Sequence, residues 1–211
     1  MGYRSFTNRT EAGRLLAAKL FRYKDTDTVV LAIPRGGVPI GYEVAKALHL
    51  PLSIVLSKKI GHPGNKEYAI GSVSQDTVIM GNRSGVSDDY IEREIIRLRE
   101  ALSEKQQLYT GSVPFPEIEG RNVIIVDDGI ATGNTVLVSI AMLRKKNPKK
   151  IIVATPVVPL DAVGRFTAEA DEFVYLLAPG YFGAVGAFYE EFGQVEDREA
   201  IRLLRDANKS Q

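Results

Sequence analysis

The sequence of 211 residues contains no cysteine and only two histidines, His49 and His62. Without cysteine the chain forms no disulfide and carries no thiol nucleophile. The usual structural zinc sites, which draw their ligands from cysteine and histidine, are excluded for the same reason. The lack of cysteine also fits a reducing compartment, so we expect the protein to be cytoplasmic.

Long apolar runs and an excess of charge of one sign are missing as well. No apolar run approaches the roughly 18 residues that a membrane span requires, and the N-terminus lacks the apolar core of a signal peptide. The 27 Lys and Arg residues nearly balance the 26 Asp and Glu residues, which leaves a net charge of +1. These absences argue against a membrane and against nucleic acid as partners.

The length suits a single domain over residues 1–211, with its core at about 25–178. Candidate strands fall at about 28–33, 53–56, 69–73, 77–80, 123–126, 151–155 and 173–177. Candidate helices fall at about 8–23, 39–48, 87–109, 132–146, 160–169 and 197–207, and residues 60–68 have the composition of a loop. Strands that alternate with helices predict an α/β fold with a central, mostly parallel sheet and helices on both faces.

The segment 123–135 carries most of the functional information. It reads VIIVDDGIATGNT: four aliphatic residues, two adjacent carboxylates, and a turn of small and hydroxyl-bearing residues. The aliphatic run is typical of a buried parallel strand, and open α/β sheets bind ligands where such strands end. Gly129 and Gly133 permit a tight turn into a helix whose free N–H groups suit a phosphate. Two carboxylates beside that socket suit a sugar phosphate, although an ordinary capped helix is the alternative.

This string resembles the phosphoribosyl diphosphate (PRPP) motif of the type I phosphoribosyltransferases. That motif is a hydrophobic strand, two acids, a small residue, two variable residues, Thr or Ser, Gly, and a final Thr or Ser. The resemblance implies a Rossmann-like fold of that family with a small hood subdomain. It also implies that Asp127 and Asp128 hold the ribose hydroxyls. The loop that would wrap the 5-phosphate consists of Gly129, Ile130, Ala131, Thr132, Gly133, Asn134 and Thr135.

A second glycine-containing loop follows the first strand. Arg35 offers a fork of donors for phosphate oxygens, and Gly36 and Gly37 allow the backbone to approach a ligand. The resemblance makes this segment the pyrophosphate loop, and it implies a non-proline cis peptide near Arg35–Gly36. The alternative is a tight turn between strand and helix with an exposed arginine.

A basic segment, Ser57–Lys66, follows the next strand. It matches the place and character of the flexible catalytic loop in the resembled family. Lys58 and Lys59 would close over the pyrophosphate, exclude water and neutralise the charge that develops on it. A solvated basic loop is the alternative.

The hood that would recognise a base has two candidates. One is the segment 156–159, with Val157 and Val158, and the other is the segment 179–196, with Tyr181 and Phe182. Apolar and aromatic residues in loops suit stacking on a planar heterocycle, but the second segment could equally be packing core. The N-terminal helix is expected either at the edge of the sheet or in the hood.

The resemblance implies a Mg²⁺-dependent transferase of nucleotide and nucleoside metabolism. A nitrogen nucleophile of a nucleobase-like acceptor would displace pyrophosphate from PRPP. Mg²⁺ is expected to bind mainly through the substrate, with Asp127 and Asp128 as candidate ligands. The alternatives are a regulator that senses PRPP or a nucleotide without transfer, and a hydrolase that releases pyrophosphate to water. Whether the protein forms a homodimer is also an open question, because the helix at 88–108 could serve as an interface or pack in the core.

Overall fold

The chain forms a five-stranded parallel sheet and a separate three-stranded antiparallel sheet. A computed structural model describes residues 5–110 and 115–209. The strands are β1 (Thr28–Ala32), β2 (Leu52–Ile54), β3 (Lys58–His62), β4 (Asn65–Val73), β5 (Val78–Met80), β6 (Asn122–Val126), β7 (Lys150–Val157) and β8 (Glu172–Leu177). The helices are α1 (Arg9–Lys19), α2 (Gly37–Leu48), α3 (Asp88–Thr110), α4 (Asn134–Arg144), α5 (Val163–Glu169) and α6 (Asp197–Asn208). Short 3₁₀ turns lie at Phe21–Tyr23, Leu160–Ala162 and Val185–Phe188.

The central sheet is buried on both faces. Alternate residues of each strand point to opposite sides, so Val30 and Ile124 pack with α1, α2 and α6, while Val29 and Ile125 pack with α4 and α5. This double burial explains why the central strands are continuous aliphatic runs rather than alternating ones. The predicted α/β class with a parallel central sheet is confirmed.

The order of the strands, β2-β1-β6-β7-β8, locates a switch point. From β1 the chain moves outward to β2 on one side, and from β6 it moves outward through β7 to β8 on the other. β1 and β6 are neighbours in the sheet, and the loops after them diverge to opposite faces. Open α/β sheets bind ligands in the crevice that such a divergence creates at the carboxyl ends of the strands.

The prediction of a loop at residues 60–68 is wrong. β3 and β4 form an antiparallel hairpin over most of this interval, and Pro63 and Gly64 supply the turn. Ile60 and Ile70 of this hairpin pack on the apolar face of α3 around Leu98. The sheet β3-β4-β5 and α3 therefore share a small core of their own. The apolar face of α3 is part of that core, whereas the homodimer stays a prediction.

The N-terminal segment and a segment near the C-terminus lie side by side. α1 begins after Asn8, whose side chain accepts the N–H of Glu11 (3.1 Å), and it packs on α2 and across β7 and β8. Just before α1, the N–H of Phe6 donates to the carbonyl of Phe188 (2.8 Å). α1 thus lies on a face of the sheet, while the residues before it join the C-terminal segment. Across residues 5–110 and 115–209, no helix has the length and apolar content needed to cross a membrane.

Candidate active site

The loops after β1 and β6 are in direct contact at the switch point. The N–H of Ile33 donates to the carbonyl of Val126 (2.9 Å). A Cβ on Gly37 would lie 2.6 Å from that same carbonyl oxygen, and a Cβ on Gly36 would overlap the carboxylate of Asp128. Both glycines are therefore required by close packing of the first loop against the acidic pair. The structure brings the predicted pyrophosphate loop and the predicted ribose site together.

A cis peptide bond joins Pro34 and Arg35 in this first loop. The bond lies one residue earlier than the expected position near Arg35–Gly36. Gly36 follows it with φ −60° and serves as the N-cap of α2.

The loop after β6 turns into α4 as the glycines predict, but the two glycines act differently. Gly133 has φ +69°, in the left-handed region that favours glycine, and it precedes the first residue of α4. Gly129 lies outside that region, and its lack of a side chain makes room for Val185 and Val157 instead. No side chain in the described part of the chain caps α4, so its first N–H groups point to the loop. The exposed residues of this loop are Ala131, Thr132, Asn134 and Thr135.

The two adjacent carboxylates differ in their surroundings. Oδ1 of Asp127 accepts the backbone N–H of Asp128 (2.9 Å). Burial, and then repulsion by Asp128, raises the pKa of Asp127 well above the ordinary value for aspartate. Burial also raises the pKa of Asp128, but the charge and the hydrogen bonds of Arg9 oppose that effect. A half-buried acidic pair with raised pKa values at the carboxyl end of a strand is typical of a functional site.

Arg9 and Tyr189 belong to this site although the sequence did not single them out for it. Nε and Nη2 of Arg9 both lie 2.8 Å from Oδ2 of Asp128. The hydroxyl of Tyr189 donates to the backbone carbonyl of Asp128 (2.5 Å). Burial and the nearby Asp128 charge raise the pKa of Tyr189, so its hydroxyl stays protonated as a donor. No local pattern signals either contact, because each joins residues that are distant in the sequence.

Arg35 points towards α6. Its Nη1 lies 4.0 Å from Oδ2 of Asp197, the first residue of that helix. The other oxygen of Asp197 accepts a hydrogen bond from the hydroxyl of Tyr109 (2.5 Å), a buried residue at the end of α3. Burial, followed by this hydrogen bond, raises the pKa of Tyr109. The carboxylate of Asp197, which the sequence did not indicate, therefore lies beside Arg35, the cation expected to bind pyrophosphate.

The basic segment after β2 is structured rather than a free loop. Lys58 and Lys59 are the first residues of β3, with Lys58 half-buried and Lys59 exposed. Lys66, on β4, donates to the hydroxyl of Tyr90 (2.6 Å) and lies 3.5 Å from Glu94. These two contacts hold the hairpin to α3.

The two hood candidates have different environments. Val157 is the last residue of β7 rather than a loop residue, and Val157 and Val158 are both fully buried. Their side chains are therefore core, which corrects the first candidate. Tyr181, in contrast, is 78% exposed beside an open cleft of about 630 Å³, and Phe182 is half-buried against Phe188. Asp161 and Arg165 also line this cleft, which adjoins the predicted phosphate loop at Ala131.

The fold and this geometry define an α/β protein with an acidic pair and two glycine-containing loops at its switch point. The family model for the phosphoribosyl transferase domain matches residues 6–175. The chain belongs to this family, which confirms the predicted family.

Three relatives illustrate the similarity. The crystal structure of TT1426 from Thermus thermophilus superimposes with a TM-score of 0.87 at 38% identity, and the match covers 96% of this chain and 98% of that one. A Mycobacterium tuberculosis H37Rv protein, provisionally named a phosphoribosyl transferase, is 37% identical over 97% of this chain and 47% of its own length. A ribose-phosphate pyrophosphokinase from Pyrococcus furiosus is 27% identical over 57% of this chain and 43% of its own length. The chain thus spans about half the length of the curated relatives it matches.

Proposed function

We propose that this protein transfers the phosphoribosyl group of PRPP to a nitrogen atom of a nucleobase-like acceptor. The observation that carries the proposal is the contact between the acidic pair and the glycine loop after β1. Asp127 and Asp128 stand at the end of β6, and Gly36 and Gly37 pack directly against them. This arrangement suits a ligand that presents sugar hydroxyls to one loop and a diphosphate to the other.

Each part of the site suits one part of PRPP. The hydroxyls of the ribose would donate to the carboxylates of Asp127 and Asp128, and the 5-phosphate would bind the N–H groups at the start of α4. Arg35, Lys58 and Lys59 would bind the diphosphate and oppose its growing charge as the bond to the anomeric carbon breaks. The lone pair of the acceptor nitrogen would form the new bond to that carbon, and pyrophosphate would leave with the old bonding pair. The proton that the acceptor nitrogen then releases would pass to the pyrophosphate or to water. The carboxylates favour the positive charge that develops on the ribose during this exchange.

The donor set of the site fits Mg²⁺ held largely by the substrate. Within the described residues, no three His, Asp or Glu side chains come together as a ready metal cage. The adjacent carboxylates of Asp127 and Asp128 are hard oxygen ligands, and Mg²⁺ commonly binds through one or two carboxylates plus substrate phosphates. Mg²⁺ bound there would neutralise charge on the diphosphate.

The acceptor would occupy the cleft beside the phosphate loop. Tyr181 presents an exposed ring there, which suits stacking on a planar heterocycle. Asp161 and Arg165 supply an acceptor and donors on the same cleft, so a heterocycle with both N–H and carbonyl groups fits its chemistry. A cytoplasmic location belongs to this proposal, because a chain without cysteine suits a reducing compartment.

Phosphorus NMR tests the proposal directly. We would record spectra of Mg²⁺ and PRPP with the protein, before and after adding a pool of purines, pyrimidines and related heterocycles. Pyrophosphate that appears only with the pool is the expected result, and division of the pool then identifies the acceptor. Perturbed PRPP resonances without turnover would favour the regulator, and ribose 5-phosphate with pyrophosphate would identify the hydrolase. Unperturbed spectra throughout would overturn the proposal.

The matched control is the double variant Asp127→Asn and Asp128→Asn. It keeps the shape of both side chains and removes both charges. We expect turnover to fall by roughly 10²-fold or more, the usual cost of lost electrostatic stabilisation in a transition state. A double variant with wild-type turnover would contradict the role of the carboxylates while leaving transfer itself established.

A further inference from the structure

All three guanidinium nitrogens of Arg9 have polar partners, and two of them contact the acidic pair. Two of its nitrogens, Nε and Nη2, contact the same oxygen, Oδ2 of Asp128, at 2.8 Å. Nη1 donates to the backbone carbonyl of Gly193 (2.8 Å), and the guanidinium lies 3.9 Å from the centre of the Phe192 ring. The side chains of Arg9 and Asp128 are only 12% and 14% exposed. A planar guanidinium fixed by hydrogen bonds and an aromatic face has little freedom to move.

These contacts occupy one oxygen of each of the two carboxylates. Oδ2 of Asp128 is taken by Arg9, and Oδ1 of Asp127 is taken by the backbone N–H of Asp128. In the described part of the chain no other residue donates a hydrogen bond to Oδ1 of Asp128 or to Oδ2 of Asp127. One oxygen of each carboxylate is thus left for a ligand, which matches the two adjacent hydroxyls of a ribose.

We propose that Arg9 is a positioning residue for the sugar, which aligns Asp128 so that its unused oxygen accepts a ribose hydroxyl. This inference rests on the proposed function, since it assumes that the acidic pair binds ribose. Arg9 acts through Asp128 rather than on the sugar. Arg9 is the first residue of α1, near the start of the described chain, and it binds Gly193, which lies just before α6. Segments that are far apart in the sequence would therefore both contribute to the ribose site.

A positioning role and a purely structural role of Arg9 predict different effects of its loss on the binding of ligands. If Arg9 only stabilised the fold, its loss would weaken all ligands of the site alike. If Arg9 aligns Asp128, its loss weakens ligands that carry ribose hydroxyls and spares pyrophosphate, which would bind at Arg35 and the first glycine loop. The ratio of the two affinities therefore separates the roles.

The experiment is isothermal titration of ribose 5-phosphate and, separately, of pyrophosphate with Mg²⁺. The proteins are wild type, Arg9→Ala, Arg9→Lys and the control Arg14→Ala, with thermal denaturation of each as a check of folding. Arg14 lies on the same helix and pairs with Glu43 (3.1 Å), but it is 71% exposed and has no contact with the acidic pair among the described residues. It reports the effect of losing an arginine and its ion pair from α1 away from the site.

We expect Arg9→Ala to weaken ribose 5-phosphate about tenfold or more, the scale of a lost charge-assisted hydrogen bond, and to change pyrophosphate affinity less than about twofold. Arg9→Lys should show a smaller loss, because lysine keeps the charge but not the fork, and it tests the inference if the alanine variant does not fold. Arg14→Ala should bind both ligands like wild type.

Three results would overturn the role of Arg9: unchanged ribose 5-phosphate affinity in the Arg9 variants, an equal loss for both ligands, or tighter binding of the sugar. Tighter binding would mean that Arg9 competes with ribose for Asp128. Failure of ribose binding at the acidic pair has a different signature, because the wild-type protein itself would then not bind ribose 5-phosphate. Failure of transfer alone would show as PRPP binding without release of pyrophosphate.

Discussion

Gly36 and Asp128 are in such close contact that a methyl group on Gly36 would overlap the Asp128 carboxylate. Any side chain at this position must displace either the carboxylate or the loop that carries Arg35. We therefore expect Gly36→Ala to lower turnover of PRPP by about 10²-fold, because displacements near 1 Å in an active site have effects of this size. The measurement is the steady-state rate of pyrophosphate release.

Gly164→Ala is the matched control for that change. A Cβ at Gly164 meets no atom within 4 Å, and the residue lies inside α5. Alanine favours a helix by about 0.5–1 kcal/mol over glycine, so this variant should keep its activity and gain stability. Full activity in Gly36→Ala would show that the contact with Asp128 has no functional role.

The part of the site that the sequence predicted is the part encoded locally. The strand, the acids and the glycine–threonine turn of residues 123–135 are consecutive, so their types alone indicate a strand, an acidic pair and a phosphate loop. Arg9 could not be found in this way, because 119 residues separate it from Asp128. The hairpin of β3 and β4 was missed for a related reason. Its Gly and Pro residues suggest a loop, whereas the burial of Ile60 against α3 depends on distant residues.

The half-buried acidic pair makes the stability of the fold depend on pH in a defined direction. Because the pKa of Asp127 is raised, the folded protein holds this proton more tightly than the unfolded chain does. The unfolding free energy then falls as pH rises from the ordinary aspartate pKa, about 3.9, through the raised value. We expect Asp127→Asn to be more stable than wild type at neutral pH without Mg²⁺ or ligand, and the difference to vanish in acid. Urea denaturation at a series of pH values measures it.

Asp171 serves as a comparison, because its pKa is shifted in the direction opposite to that of Asp127. A hydrogen bond from Arg144 lowers the pKa of Asp171, so its charged form stabilises the folded state. That contribution is present above the ordinary aspartate pKa and is lost as pH falls through the lowered value. Asp171→Asn should therefore be less stable than wild type at neutral pH, by about 1 kcal/mol or less for so exposed a pair. The same sign for both variants would contradict the assignment of the Asp127 shift.

Asp197 would compete with an anionic ligand that binds Arg35. Its Oδ2 lies 4.0 Å from Nη1 of Arg35, and its negative charge would also repel a bound pyrophosphate. We expect Asp197→Asn to bind pyrophosphate about two- to fivefold more tightly, the scale of a partly exposed ion pair. Tyr109→Phe removes only the hydrogen bond to Asp197 and should cost about 1 kcal/mol of stability. Weaker pyrophosphate binding in Asp197→Asn would instead mean that Asp197 positions Arg35 for the ligand.

Substitution of the two lysines at the start of β3 distinguishes an enzyme from a sensor. Lys58 and Lys59 follow β2 at the edge of the sheet where the loops of the candidate site lie, and cations there would matter most when charge develops on a leaving pyrophosphate. In an enzyme, replacing both by alanine should lower kcat by about 10²-fold and weaken PRPP binding by much less.

Lys66→Ala is the control for these two lysines. It removes a cation from the same hairpin, but one that is bound to Tyr90 and Glu94 on α3. Its loss should loosen the hairpin on α3 and lower the melting temperature while leaving kcat within about threefold, since no developing charge depends on it. Comparison of kcat with the dissociation constant of PRPP in both proteins checks the prediction. Equal losses of kcat and binding in the Lys58 and Lys59 variant would mean that these lysines bind PRPP without stabilising its leaving group. PRPP binding without any turnover in the wild type would favour a sensor, because a protein that only binds PRPP has no leaving group to stabilise.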